Sequence, residues 1–93
     1  MTQYTRGRAK EWAVCKELRA TGWQAIRSAG SHGLWDISAV SPHGMPYYIQ
    51  VKYTKNGGYE DVNLRAFRKL LVYGRKQAWI YTYGTKEPEI INL

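Results

Sequence analysis

The chain has 93 residues, a formal net charge of +7, one cysteine and no apolar run near the roughly 18 residues that a membrane-spanning helix requires. A chain of this length with 44% hydrophobic residues can bury one core, so we expect a single domain over residues 1–93. Cys15 alone excludes an internal disulfide, and the N-terminus lacks the apolar stretch of a secretory signal. These features favour a cytoplasmic protein without a membrane partner.

The first predicted elements are a helix and a strand. Apolar residues recur at helical spacing from Gly7 to Ala20, and Thr21-Gly22 follows as a helix stop. The segment WQAIRS, residues 23–28, is typical of a short strand and leads into the turn-rich AGSHG.

A β-hairpin is predicted next. The strand-like runs LWDISAV, residues 34–40, and YYIQVKY, residues 47–53, are separated by SPHGMP, which has the composition and length of a hairpin turn. We therefore expect these two strands to pair with each other.

The remaining elements are a second helix and one or two strands. Asn63 can cap a helix that ends near Gly74, with its apolar stripe on Leu64, Phe67, Leu70 and Leu71. AWIYTY, residues 78–83, predicts a strand, and EIINL, residues 89–93, adds an edge strand. The order α-β-β-β-α-β(-β) indicates an α/β fold with a central sheet.

Basic residues concentrate in two segments, which would present positive surface to a polyanion such as nucleic acid. The alternative is that they form the solvated helix faces of an ordinary basic protein. Residues 1–27 contain Arg6, Arg8, Lys10, Lys16, Arg19 and Arg27, and residues 64–76 contain Arg65, Arg68, Lys69, Arg75 and Lys76.

Asp36 is the residue that most needs an explanation, because it lies within an otherwise apolar strand pattern. Alternation along YYIQVKY puts Gln50 and Lys52 on the face opposite Ile49 and Val51. One interpretation is a cross-strand ion pair between Asp36 and Lys52 that serves structure alone.

The other interpretation of Asp36 is a metal site. Asp36 and the side-chain oxygen of Gln50, with Glu11 as a further donor, are oxygen ligands of the kind that Mg2+ takes. Lys52 would then lie beside the metal-bound water. A metal that activates water and a lysine that stabilises charge on phosphorus form a complete set for phosphodiester hydrolysis.

Asp36 followed by Gln50-x-Lys52 resembles the D…(D/E)xK signature of the PD-(D/E)XK nuclease superfamily. The flanking segments RGRAKE, TGWQAIRSAGS, WDI and YYIQVKYTK resemble the archaeal-type Holliday junction resolvases, in order, over about residues 5–55. Beyond Gly58 the resemblance is in the order of the elements. It implies a restriction-endonuclease-like fold, with a central mixed sheet flanked by helices.

The resemblance also implies roles for individual residues. Glu11 matches the glutamate of the first helix, Asp36 the metal-binding aspartate and Lys52 the catalytic lysine, while Ser31 matches a serine in a loop near the active site. Two positions depart from the family: Gln50 stands where these resolvases usually have glutamate, and Thr5 stands where they have a basic residue. An uncharged amide predicts weaker Mg2+ binding than a glutamate would give.

The function implied by the resemblance is Mg2+-dependent cleavage of four-way DNA junctions, with Mn2+ as the alternative ion. Two symmetric nicks require two active sites, so we expect a homodimer, with contacts through a sheet edge near residues 79–83 or the second helix. A nuclease of this size would suit an archaeon or a virus. Residues expected to contact DNA are Arg6, Arg8, Arg27, Ser31, Lys55, Arg65, Arg68 and Lys69.

Two other functions stay open at this point. A nuclease of the same superfamily could act on duplex or flap DNA instead. The chain could also be a DNA-junction-binding module that lacks catalysis because Gln50 weakens its metal site.

Overall fold

A computed structural model describes residues 3–27, 34–56 and 58–93, with side chains from residue 8 onward. Its helices are α1, Gln3–Ala20, and α2, Val62–Lys69. Its strands are β1, Gln24–Arg27, β2, Ile37–Val40, β3, Pro46–Thr54, β4, Arg75–Thr82, and β5, Glu89–Asn92. Within those ranges, no helix is both long enough and apolar enough to span a membrane.

The five strands form one mixed sheet in the order β1-β2-β3-β4-β5. The pairs β1/β2, β2/β3 and β4/β5 are antiparallel, whereas β3 and β4 are parallel. Parallel neighbours need a crossover connection, and α2 is part of it. The predicted α/β class, the hairpin and the final edge strand are confirmed.

Each helix covers one face of the sheet. On the α1 face, Val14, Cys15 and Leu18 pack against strand residues that include Ile37 and Ile49. On the α2 face, a second core contains Leu64, Phe67, Ala78 and Ile80. Gln50 and Lys52 share this second face of β3, so the polar side of YYIQVKY is also packed against a helix and is not an open surface.

Several predicted boundaries were wrong at the first helix and the first strand of the hairpin. Helix α1 begins at Gln3, four residues before Gly7, because that glycine is tolerated within the helix. Strand β2 begins at Ile37, so Asp36 precedes the strand instead of lying inside it. The predicted stop of α1 is confirmed, since Gly22 adopts φ +91° and the N–H of Trp23 bonds back to Leu18 O at 3.1 Å.

The second helix also differs from its prediction. Asp61, not Asn63, is the N-cap, because its Oδ1 accepts a hydrogen bond from the N–H of Leu64 at 2.8 Å. The helix ends at Lys69, well before Gly74, and Leu71 is 96% exposed and does not extend the apolar stripe.

The expected dimer contact at residues 79–83 was assigned to the wrong place in the sheet. Strand β4 lies between β3 and β5, and Trp79, Ile80 and Tyr81 are buried in this chain's own cores. Those side chains are therefore not a free sheet edge.

Candidate active site

The position of Asp36 is fixed by β3. The last pair between β2 and β3 joins Ile37 to Ile49, and Asp36 lies one residue beyond it. The N–H of Asp36 donates to Ile49 O at 2.8 Å, and the N–H of Val51 donates to Asp36 Oδ2 at 2.8 Å. Backbone and side chain of Asp36 are thus both held against the middle of β3, beside Gln50.

Asp36 carries an unusual pKa. Burial raises the pKa of this carboxyl from 3.8 to about 6, against the opposing effects of the Val51 hydrogen bond, Lys52 and Arg27. Glu11 adds a second negative charge that raises the pKa further. The influence of these three charged side chains on Asp36 shows that the fold brings Glu11, Arg27 and Lys52 into one neighbourhood with it.

Among the residues that the structure describes, Gln50 is the only buried polar one, with 7% of its surface exposed. Its Nε2 donates to Leu34 O at 3.1 Å, which orients the amide. The other end of the amide, Oε1, is buried without a hydrogen-bond partner. An unmatched buried oxygen costs about 1–3 kcal/mol of folding free energy, and a ligand that accepts its lone pairs would recover it.

The predicted ion pair between Asp36 and Lys52 does not form. Lys52 Nζ instead donates to Asp61 Oδ2, at the start of α2. The structural interpretation of Asp36 therefore fails, because this partly buried carboxylate is bonded to a backbone N–H and not to a lysine.

Glu11 reaches the same neighbourhood from α1. Its Oε1 accepts a hydrogen bond from Arg27 Nε at 2.8 Å, and both side chains are largely buried. The Arg27 guanidinium also lies 5.9 Å from the centre of the Trp12 ring. Arg27 is thus engaged inside the protein and is not displayed as a free cation on the surface.

The donor set of this site fits a hard divalent cation. Asp36 and the unmatched Gln50 Oε1 are oxygen donors, which Mg2+ prefers, and Mg2+ usually keeps several waters when few carboxylates bind it. Among the described residues, no group of three or more His, Cys, Asp or Glu side chains is placed to hold a metal. The site therefore offers fewer charges than a three-carboxylate site.

The other predicted DNA contacts are distributed over the surface. Arg8, on α1, and Lys55, just after β3, have exposed side chains, as do Arg65 and Lys69 on α2. Arg68 is also exposed and pairs with Glu60 at 3.1 Å. Arg6 lies in α1 with its side chain outside the description, and Ser31 lies outside the described residues.

Sequence reasoning missed Asp61 and Lys76. Asp61 is a typical N-cap residue type, but Asn63 competes with it at nearly the same distance from the apolar stripe. Lys76 was grouped with the basic segment, whereas its Nζ donates to three main-chain oxygens at the end of α2. Neither pairing has a local sequence signal.

A mixed sheet between two helices, with an aspartate beside a QxK strand, is consistent with the PD-(D/E)XK class of nuclease folds. A family model described as "Archaeal holliday junction resolvase (hjc)" matches residues 2–86. The chain therefore belongs to the archaeal Holliday junction resolvase family, as its motifs indicated. The match extends well past the segment, residues 5–55, in which those motifs lie.

A solved structure agrees with this assignment at the level of the fold. The Holliday junction resolvase Hjc of Archaeoglobus fulgidus, an archaeal hyperthermophile, superimposes with a TM-score of 0.65 at 22% sequence identity. The superposition covers 90% of this chain and 73% of that one. No curated protein matches the sequence.

Proposed function

We propose that this chain is a divalent-metal-dependent endonuclease that resolves four-way DNA junctions by paired nicks. Its family supports the reaction, and the observation that carries the proposal is the buried, unmatched Oε1 of Gln50 next to Asp36. Asp36, which is held by the Val51 N–H, and Gln50 Oε1, which has no partner, are two neighbouring oxygen donors of the kind that a divalent cation completes.

In this proposal Asp36 and Gln50 hold Mg2+, with Mn2+ as the alternative. Such an ion, when bound, polarises a phosphoryl oxygen and lowers the pKa of a bound water. The Val51 N–H keeps the Asp36 carboxylate in place, and Leu34 O fixes which end of the Gln50 amide faces the site. Both contacts are made by the main chain, so the donors are preorganised by the β2–β3 hairpin.

Lys52 has a different role from the two donors. Its ammonium lies on the same strand face as Gln50, two residues further along β3, and would stabilise negative charge that develops on phosphorus. Glu11 is proposed as a third oxygen donor, with its carboxylate held by Arg27 at 2.8 Å. DNA is bound by the exposed basic side chains, with Arg8, Lys55, Arg65, Arg68 and Lys69 as candidates.

Paired nicks require two active sites, so a homodimer is part of the proposal. One chain presents one set of Asp36, Gln50 and Lys52, and two copies would place two sets across the symmetry axis of a junction. We place the protein in the cytoplasm, where its DNA substrate would be found.

The test is a cleavage assay with purified protein, an immobile four-way junction and a linear duplex of the same sequences. Mg2+ and Mn2+ are supplied in separate reactions, with EDTA as the control. Symmetric nicks in the junction alone are expected. Equal cutting of the duplex would indicate a broader nuclease instead.

A second candidate function is junction binding without cleavage. It is favoured by Gln50 in place of a glutamate and by the lack of a three-carboxylate cluster in the described part of the chain. Tight junction binding without nicks in either metal would support this candidate and would contradict the first.

A further inference from the structure

The carboxylate of Asp61 makes two contacts with two different elements. Oδ1 accepts a hydrogen bond from the N–H of Leu64 at 2.8 Å, in the first turn of α2. Oδ2 accepts a hydrogen bond from Lys52 Nζ, on β3. One side chain therefore joins the start of α2 to the lysine of the QxK strand.

These contacts favour the ionised form of Asp61. Partial burial would raise the pKa of Asp61, but the hydrogen bonds from Lys52 and from the N–H of Leu64 together outweigh it, and the pKa is lowered. The carboxylate is thus a permanent anionic partner for Lys52 at neutral pH.

The pair is placed at the edge of the site, not in its centre. The Lys52 side chain is 17% exposed, whereas that of Asp61 is 44% exposed. Ion pairs with a solvated partner contribute little to stability, so the pair is better explained by the position it gives the ammonium. A free lysine side chain would instead sample many rotamers around the site.

Asp61 also links Lys52 to the basic helix. Helix α2 carries Arg65, Arg68 and Lys69, the residues proposed to bind phosphates, and Asp61 is the residue that starts this helix. Phosphate contacts that hold α2 in place therefore hold the partner of Lys52 in place as well.

We infer that Asp61 is a positioning residue for the cleavage proposed above: one carboxylate oxygen orients Lys52 while the other fixes the start of α2. This inference rests on the proposed function, because Lys52 matters to rate only if the chain cleaves DNA. Asp61 itself is not assigned any contact with the substrate.

The two roles of Asp61 can be separated by substitution. Asp61→Asn keeps an N-cap of equal quality but removes the anionic partner of Lys52, whereas Asp61→Ala removes both. Glu60→Gln is the matched control, because it removes one negative charge at the neighbouring residue, whose partner is Arg68 and not Lys52.

Each variant is measured for single-turnover cleavage of a four-way junction at saturating protein, for junction affinity in EDTA and for melting temperature. We expect Asp61→Asn to cleave about 10- to 100-fold more slowly, with the affinity and melting temperature of the unsubstituted protein. Asp61→Ala should be slowed to the same degree and should also melt about 5 °C lower. Glu60→Gln should cleave at the original rate.

The outcomes separate this inference from the proposed function. If Asp61→Asn cleaves at the original rate, Asp61 is only a helix cap and the inference is wrong, while the nuclease function stands. If Glu60→Gln slows cleavage equally, the effect belongs to net charge and the inference is also wrong. If the unsubstituted protein cuts no junction in Mg2+ or Mn2+, both the inference and the function that it rests on are overturned.

Discussion

Lys76 and Lys52 occupy neighbouring strands, yet their surroundings differ in one respect. Around Lys76, the polar groups satisfy one another: its Nζ donates at 2.7 Å to each of three carbonyl oxygens, those of Phe67, Arg68 and Leu70, at the end of α2. Around Lys52, whose Nζ is paired with Asp61, one polar atom is left unmatched. Gln50 Oε1 has no partner, and burial raises the pKa of Asp36 to about 6.

The difference separates a structural region from a functional one. A helix end at which one ammonium bonds three carbonyl oxygens is stabilised without any ligand. A partly buried carboxylate with a raised pKa and an unmatched amide oxygen each oppose folding, and they are tolerated where a ligand will complete them. Removal of a charged group should therefore change stability in opposite directions in the two regions, and five predictions test this comparison.

The largest expected effect concerns cleavage. Asp36→Ala or Lys52→Ala should reduce the cleavage rate by about 10^2- to 10^3-fold or more, because each removes a charge that acts in the transition state. Junction affinity in EDTA should persist, as measured by titration of a labelled junction. Cleavage that survives Asp36→Ala would show that the site lies elsewhere.

The next effect concerns the metal. Gln50→Glu should bind Mg2+ about tenfold more tightly, because it adds a negative charge to the donor set. Without metal, it should lower the melting temperature by placing a second carboxylate beside Asp36. Calorimetric titration with Mg2+ measures the first effect, and Gln24→Glu, at an exposed position of β1, is the control. Equal Mg2+ affinity in all three proteins would argue against Gln50 as a ligand.

Substitutions around Lys76, at the end of α2, should change the stability of the fold and not the cleavage rate. Lys76→Met should lower the free energy of unfolding by about 2 kcal/mol, because it removes the charged donor from three carbonyl oxygens at the end of α2. Urea unfolding measures the change. Arg75→Met, at the exposed neighbouring position, should have little effect. Comparable decreases for both variants would mean that positive charge, and not these hydrogen bonds, is what matters.

Substitution of Asp36 should change the free energy of unfolding in the opposite direction from substitution of Lys76. Its pKa in the folded protein, about 6, exceeds the ordinary 3.8, so the folded state binds more protons between these values. The free energy of unfolding therefore falls as the pH rises through this window. Without metal, Asp36→Asn should be more stable than the original protein by about 1 kcal/mol near pH 7, and this advantage should vanish near pH 4.

Thermal unfolding of both proteins in EDTA at several pH values tests whether Asp36→Asn is more stable. A variant that is less stable than the original protein at neutral pH would show that Asp36 supports the fold. That result would remove the distinction between the two regions.

The smallest effect concerns the binding of DNA phosphates. Arg65→Ala or Lys69→Ala should weaken junction binding and lower the slope of log K against log salt by about 0.9 for each phosphate that is no longer neutralised. Lys86→Ala, in the exposed turn between β4 and β5, is the control. Unchanged slopes for α2 variants would place the DNA on another face.

Much of the fold could be predicted from local patterns. Alternation in YYIQVKY correctly assigned Ile49 and Gln50 to opposite faces, and Gly22 marked the end of α1. Asp36 and Gln50 could be singled out because a polar residue in an apolar strand pattern is unusual.

What could not be predicted is which distant side chains meet. The sequence offered Asp36 as a partner for Lys52, whereas its partner is Asp61, which depends on how α2 is placed over β3. The same applies to Lys76, whose three acceptors come from the end of α2. The sequence analysis placed the helix cap at Asn63, whereas the cap is Asp61, whose other carboxylate oxygen is the partner of Lys52.

The order of strands in the sheet bears on how the chain folds. Strands β1, β2 and β3 are antiparallel neighbours in chain order, so they can pair through short loops, whereas β4 joins β3 only after the longer crossover through α2 has closed. Asp36 and Gln50 both belong to the local hairpin, but Asp61 arrives with the crossover. We therefore expect the two oxygen donors to come together early in folding, and Lys52 to gain its partner later, when the crossover closes.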